Sequence, residues 1–182
     1  MDKNVKAIHA ANARYVEEFG DKGSLPHHPT RHFAVVTCMD CRLDPAKFAG
    51  LAEGDANVIR NAGGRVSEDA IRSLLISYKM LGTKEWFVIQ HTHCGMMGFT
   101  NEEARELFAS DAHVHGIDPT EAHYIDFMPI SGTIEENLVR DVRRLRSHPL
   151  VPASIVIHGY VYDVHTGRLI VVEEAEKIGA AK

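Results

Sequence analysis

Apolar positions along the chain recur with two different periods, and those periods divide it into helices and strands. Val5, Ile8, Ala11, Tyr15 and Phe19 fall loosely on one face over residues 3–19, which predicts an amphipathic N-terminal helix. A Gly/Pro/His-rich loop, GDKGSLPHHPTRH, separates it from the continuous run FAVVTC at 33–38, which reads as a strand. NVIRN at 57–61 predicts a second short strand, closed by a Gly63–Gly64 turn, and EWFVIQH at 85–91 a third.

The helices between them announce their ends. Asp44 before Pro45 is an N-cap and first-turn pair opening a short helix. Ser67 caps a longer one, with Glu68 and Asp69 where the dipole favours acids. Ile71, Leu74, Leu75, Tyr78 and Leu81 keep helical spacing up to the stop at Gly82. Thr100 with Glu103 and Thr133 with Glu136 have capping-box spacing and predict helices near 101–110 and 134–147. Arg140, Arg143, Arg144 and Arg146, with Asp141 among them, read as a solvated or salt-bridged helix face. SIVIHGYVYDV and RLIVVEE, around an H-T-G turn, predict a hairpin that closes the chain.

Strands alternating with helices define an α/β fold. The expected architecture is three-layered: a mostly parallel sheet of about five strands, helices on both faces and an antiparallel hairpin at one edge. With no repeat, linker or low-complexity tract, residues 1–182 read as a single domain in which 1–30 form an N-terminal helical arm and loop.

Composition narrows the function by exclusion. Hydrophobic residues make up 45% and charged residues 25%, an ordinary globular balance. A net charge of −5 gives no reason to expect a nucleic-acid partner. No apolar run reaches the ~18 residues of a membrane span. The N-terminus lacks an apolar signal core, and Asp2, Glu17 and Glu18 fit a transit peptide poorly, so a cytoplasmic location is expected.

The chemistry gathers at two strand ends. Three cysteines in a chain without a secretion signal argue against a disulfide framework; their positions suggest a metal. Cys38 ends the first strand and is followed by Asp40, Cys41 and Arg42. The third strand ends in HTHCG, which spaces His91 and Cys94 as H-x-x-C. In a doubly wound sheet ligands collect outside the carboxyl ends of strands where the order reverses. If the first and third strands flank that point, Cys38, His91 and Cys94 converge. Two thiolates and an imidazole suit zinc and leave one tetrahedral corner open, while soft sulfur excludes magnesium and calcium. Asp40 is placed to accept a proton from water, and Arg42 to grip that carboxylate in a bidentate pair.

Two other readings use the same residues. C-x-x-C at 38–41 matches a thioredoxin-type redox pair, but such a pair opens a helix directly, and here Asp44–Pro45 starts the helix later. Alternatively, Cys41 completes a closed four-ligand structural zinc site in a non-catalytic interaction domain; a positioned Asp40–Arg42 pair has no use there. Gly63–Gly64 lacks the context of a phosphate cradle and reads as a tight turn near the crevice.

The set C-x-D-x-R, RNAGG and H-x-x-C, spread over residues 32–99, resembles the β-class carbonic anhydrase family, and the HGYVYDVHTGRL hairpin does so more weakly. The resemblance implies a zinc lyase that hydrates carbon dioxide reversibly to bicarbonate. One zinc per subunit would be held by Cys38, His91 and Cys94, with a hydroxide oriented by the Asp40–Arg42 dyad and Gly63 and Gly95 beside the substrate. It also implies a homodimer or homotetramer whose crevice is lined from both subunits, the N-terminal helix reaching across. Carbonyl sulfide and carbon disulfide hydrolases share the same constellation, so the motif alone leaves the small-molecule substrate open between them. Some members ligate the metal with the aspartate, a closed form expected at low pH. The glutamine that some branches carry before the first strand is missing from PHHPTRH, and the family's bicarbonate allosteric pocket is not evident. Cys41 reads as a bystander, and His93 as either a proton shuttle or a histidine that merely lies beside the ligands.

Overall fold

Five strands form where the apolar runs predict them: β1 (Phe33–Cys38), β2 (Ala56–Asn61), β3 (Glu85–His91), β4 (Val156–Tyr162) and β5 (Leu169–Val171). The computed structural model describes residues 2–116 and 118–182. The strands join in one sheet of order β2-β1-β3-β4-β5, with β5 antiparallel to β4 and every other pairing parallel. The chain leaves β1 to build β2 on one side, then crosses to build β3 on the other. The order therefore reverses at β1, and the crevice outside the ends of β1 and β3 is the place where such sheets bind ligands.

Six α-helices are defined among the described residues: α1 (Lys3–Glu17), α2 (Pro45–Phe48), α3 (Glu68–Leu81), α4 (Asn101–His115), α5 (Ile134–Ser147) and α6 (Glu173–Gly179). Their starts are held by the caps read from sequence. The Asp44, Ser67, Thr100 and Thr133 side chains each accept a bond from a first-turn backbone N–H, and both threonines complete capping boxes. Gly82 ends α3 in the left-handed conformation at φ 74°.

The main core lies on one face of the sheet. Ala34, Val36, Trp86, Val88 and Ile157 pack there against Ile71 and Leu74 of α3 and Leu138, Val142 and Leu145 of α5. The opposite face is thinly covered: Phe33, Val35 and Ile89 meet Phe48 of α2 and Phe87, and a cavity of about 500 Å³ stays open over them. Helices thus sit on both faces, very unequally. Strand β1 is buried along its whole length, the reason its run is apolar without alternation.

Several boundaries differ from expectation. The first helix stops at Glu17, so Phe19 lies beyond it, and none of its residues is buried. Its apolar stripe, with Val5, Ile8, Tyr15 and Val16, faces outward. Helix α4 runs to His115 rather than 110, ended by Gly116 at φ 63°. The chain does not close on the hairpin: β5 has three residues, and Glu173 onward turns into α6. Tertiary contacts decide this. Ala175 seats directly on Gly159, where an added Cβ would lie 2.5 Å away. The Glu176 carboxylate takes the Gly159 N–H at 2.8 Å, and Arg146 donates to the Gly179 carbonyl at 2.5 Å. On α5, Arg143 and Arg144 pair with Glu174 and Glu68 as a salt-bridged face should, but Asp141 turns inward and is buried.

Candidate metal centre

Cys38 is the last residue of β1 and His91 the last of β3, so the sheet itself delivers both to the crevice. Cys94 follows three residues later, and the chain can turn that fast because His93 adopts φ 53°. Donor atoms of the three side chains lie within 4.8 Å of one another, and all three residues are buried. His91 Nδ1 lies 2.9 Å from the Thr92 carbonyl, which makes that nitrogen the N–H donor. Its Nε2 is left with a lone pair that is buried and has no hydrogen-bond partner. An orphaned buried acceptor is costly unless something electrophilic occupies the space before it.

The sulfurs have matching electronics. The neighbouring Cys94 and the Asp40 N–H at 3.4 Å push the Cys38 thiol down. Cys38 in turn, with burial, holds Cys94 up. This buried sulfur–imidazole donor set suits zinc.

Beside the cluster, Asp40 is gripped by Arg42. Asp40 Oδ1 accepts from the Arg42 backbone N–H and Nε at 2.9 Å each, and Oδ2 from Nη2 at 2.6 Å. The Arg42 guanidinium holds the Asp40 carboxyl well below the usual carboxylate range. Oδ2 also faces the cluster, 3.7 Å from His91 Nε2. Arg42 in turn donates to the His93 carbonyl at 3.0 Å, tying the two strand-end segments together.

Gly64, at φ 61°, lies flat on the ligand-bearing backbone. A Cβ there would stand 2.8 Å from the Cys38 nitrogen and 3.1 Å from the Ile89 carbonyl. Gly63, Gly95, Met39 and Met96 complete, with Cys38, Cys94 and Asp40, a mostly apolar cavity of about 160 Å³. At least four cavities elsewhere are larger, among them about 510 Å³ under the start of α4 and 500 Å³ on the open sheet face. None contains a ligand cluster among the described residues, so donor chemistry rather than size picks the site.

Cys38, Asp40, Arg42, Gly63, His91, Cys94 and Gly95 thus lie together outside the ends of β1 and β3. Cys41 is exposed and outside the ligand group, so neither the four-ligand set nor a disulfide with Cys38 forms. His93 is exposed, its ring 4.8 Å from that of His165. Sequence reasoning missed Arg60, which donates to the Cys38 carbonyl at 3.0 Å and the Asp40 carbonyl at 2.8 Å. The available signal was a lone arginine in an apolar strand, at the position that pairs with Thr37.

Comparison with known proteins agrees with this geometry. A carbonic anhydrase family model matches residues 33–169. The chain is similar to beta-carbonic anhydrase 1 of Mycobacterium tuberculosis, 40% identical over 162 residues that cover 88% of this chain and 92% of that protein. It is also similar to a carbon disulfide hydrolase of Acidianus sp., 39% identical over 159 residues, 76% of each chain. Among solved structures, a carbonic anhydrase from Glaciozyma antarctica aligns with a TM-score of 0.86 at 43% identity, over 94% of this chain and 99% of that one.

Proposed function

Because this chain belongs to the β-carbonic anhydrase family, we propose that it catalyses the reversible hydration of carbon dioxide, with zinc held by Cys38, His91 and Cys94. The observation that carries the reading is the buried, unpartnered Nε2 of His91 facing two sulfurs, with the Asp40 carboxylate 3.7 Å away. Zinc bound there would supply Lewis acidity and lower the pKa of a water molecule.

Everything else falls to the chain's own residues. A carboxylate offers about four lone-pair sites. Arg42 takes two on Oδ1 and one on Oδ2, so the free site is on the oxygen that faces the cluster. Held ionised by Arg42, Asp40 acts as a hydrogen-bond acceptor: it accepts the O–H of the attacking oxygen and fixes where its remaining lone pairs point. Arg60, by pinning the Cys38 and Asp40 carbonyls, keeps ligand and acceptor in one frame. Ala62, Gly63 and Met96 form the apolar wall against which a small linear substrate would lie, and Gly95 lines the same cavity. The bond from Arg42 Nη2 to Oδ2 steadies the carboxylate beside the cluster; ligation of the metal by Asp40 would be the closed form expected at low pH.

A second reading, hydrolysis of carbonyl sulfide or carbon disulfide at the same site, is favoured by the similarity to the Acidianus enzyme. The deciding experiment is a parallel assay of purified, zinc-replete protein with carbon dioxide, carbonyl sulfide and carbon disulfide. Carbon dioxide hydration lost on chelation and regained with zinc supports the first reading; turnover of the C=S substrates alone replaces it with the alternative.

The same reading includes a homodimer. The exposed stripe of α1 and the open apolar sheet face each lack a partner within one described chain, and another copy supplies both. No described helix is long and apolar enough to cross a membrane, and a cytoplasmic location belongs to the proposal.

A further inference from the structure

Next to the metal centre lies a buried polar network that the proposed chemistry does not use. Its node is Asp141 on α5, only 2% exposed. Asp141 Oδ2 accepts from Arg65 Nε at 2.8 Å, Gln90 Nε2 at 2.9 Å and the Val66 backbone N–H at 3.2 Å, and Oδ1 from Arg65 Nη2 at 3.2 Å. Gln90 Oε1 takes Asn137 Nδ2 at 2.9 Å, which returns the chain of bonds to α5. Arg65 Nη1 donates onward to the Met128 and Pro129 carbonyls.

Stability is a weak reason for this arrangement, since a buried ion pair is commonly no better than well-packed apolar groups of the same volume. Its connections give a stronger one. The donors come from two segments, and each abuts a metal ligand. Gln90 immediately precedes His91 on β3. Arg65 and Val66 follow Gly64, whose backbone rests on the Cys38 nitrogen and the Ile89 carbonyl. The turn is braced on its other side by Asn61, which exchanges 2.7 Å bonds with the Arg65 backbone and takes the Met39 N–H on its own carbonyl at 2.9 Å. One carboxylate thus fastens the Gly63–Gly64 turn to the end of β3, with Cys38 clamped between.

We propose that Asp141 is a positioning residue of the metal centre: through Arg65 and Gln90 it holds Cys38 and His91 at ligating separation before the ion arrives. The inference rests on the metal-binding reading above and not on which substrate is turned over. An ion then meets a preformed donor set and does not have to organise one.

The test measures cobalt(II) affinity and the visible spectrum of the cobalt protein, alongside thermal melts of the metal-free form. Asp141→Asn keeps the shape and removes the charge; Gln90→Met cuts one arm and leaves the Arg65 pair intact. Leu145→Ala, a core deletion one turn along α5, is the control for loss of stability alone. For Asp141→Asn the cobalt dissociation constant is expected to rise about 10–100-fold, as when groups supporting ligands are removed elsewhere, with altered tetrahedral bands. Gln90→Met moves both in the same direction by less, and Leu145→Ala lowers the melting temperature without moving either. The proposal is overturned if folded Asp141→Asn and Gln90→Met bind cobalt as the wild type does, or if Leu145→Ala weakens binding equally. If Asp141→Asn yields no folded protein, Gln90→Met decides. Wild-type protein that binds no cobalt defeats both this inference and the metal-binding reading; cobalt binding without hydration defeats only the proposed reaction.

Discussion

Replacing Asp40 by asparagine isolates the one acceptor site on which the proposed reaction depends. The amide keeps the size and leaves Oδ1 to accept from the Arg42 backbone and Nε. What changes is the other position: an N–H₂ now stands where Oδ2 faces both Arg42 Nη2 at 2.6 Å and the cluster. The free lone pair becomes a donor, and the attacking oxygen loses its acceptor. A hydrogen bond to a charged group contributes roughly 1.5–3 kcal/mol. At about 1.36 kcal/mol per decade of rate, the loss is roughly 10–150-fold in kcat/KM. Because Arg42 keeps the wild-type carboxylate ionised far below neutrality, the ratio of variant to wild type should be constant from mildly acid to alkaline pH. Stopped-flow hydration with a pH indicator measures it, with zinc stoichiometry determined on the same samples. A fully metallated Asp40→Asn enzyme with wild-type kcat/KM, or a deficit that vanishes at high pH, would refute the assigned acceptor role.

Three further outcomes follow from other parts of the molecule. Cys41→Ser should retain full zinc content and activity, because that thiol is exposed and outside the ligand group, whereas Cys38→Ser should lose metal by elemental analysis. Gly64→Ala places a Cβ 2.8 Å from a backbone nitrogen at positive φ. The conformational cost alone, about 1–2 kcal/mol, should lower the melting temperature by roughly 2–8 °C, and metal affinity should fall with it. His158 is hydrogen-bonded by Glu176 at 2.7 Å and Glu85 at 2.8 Å. Burial disfavours its charged form, but the two carboxylates outweigh burial and raise its pKa. A raised folded-state pKa gives stability that is complete below the unfolded value of about 6.5 and is lost as pH climbs through the folded one. Melting temperature should therefore decline as pH rises above that range, and His158→Gln should flatten the decline; parallel curves for the two proteins would count against the linkage.

The sheet was readable in sequence where burial is uniform. FAVVTC is apolar but for Thr37 because each of its residues is buried, and the side-chain caps of α2, α3, α4 and α5 are local bonds that leave local signatures. Helix α6 was not readable. Its seven residues follow the strand without a side-chain cap, and what makes them helical is the fit of Ala175 over Gly159 and the reach of Arg146, both distant in sequence. The ligands and the Asp40–Arg42 pair could be found because each lies within a few residues of a strand end, so spacing carries geometry. Arg60 and Asp141 could not. Arg60 acts through the register of β2 on β1, and Asp141 is one more charge on an arginine-rich helix until packing turns it inward.

Helix α1 has fifteen residues and no buried side chain. Its own chain touches it through little more than the bond of the Tyr15 hydroxyl to Glu53 and the Lys22 ammonium over the Tyr15 ring. A peptide of that length is only marginally helical in water without a surface to lean on. In the proposed homodimer the second copy supplies that surface, so the ellipticity should follow concentration: diluted far enough, the chain should shed about four turns of helix while the β-sheet signal stays, and the arm becomes a built-in gauge of company.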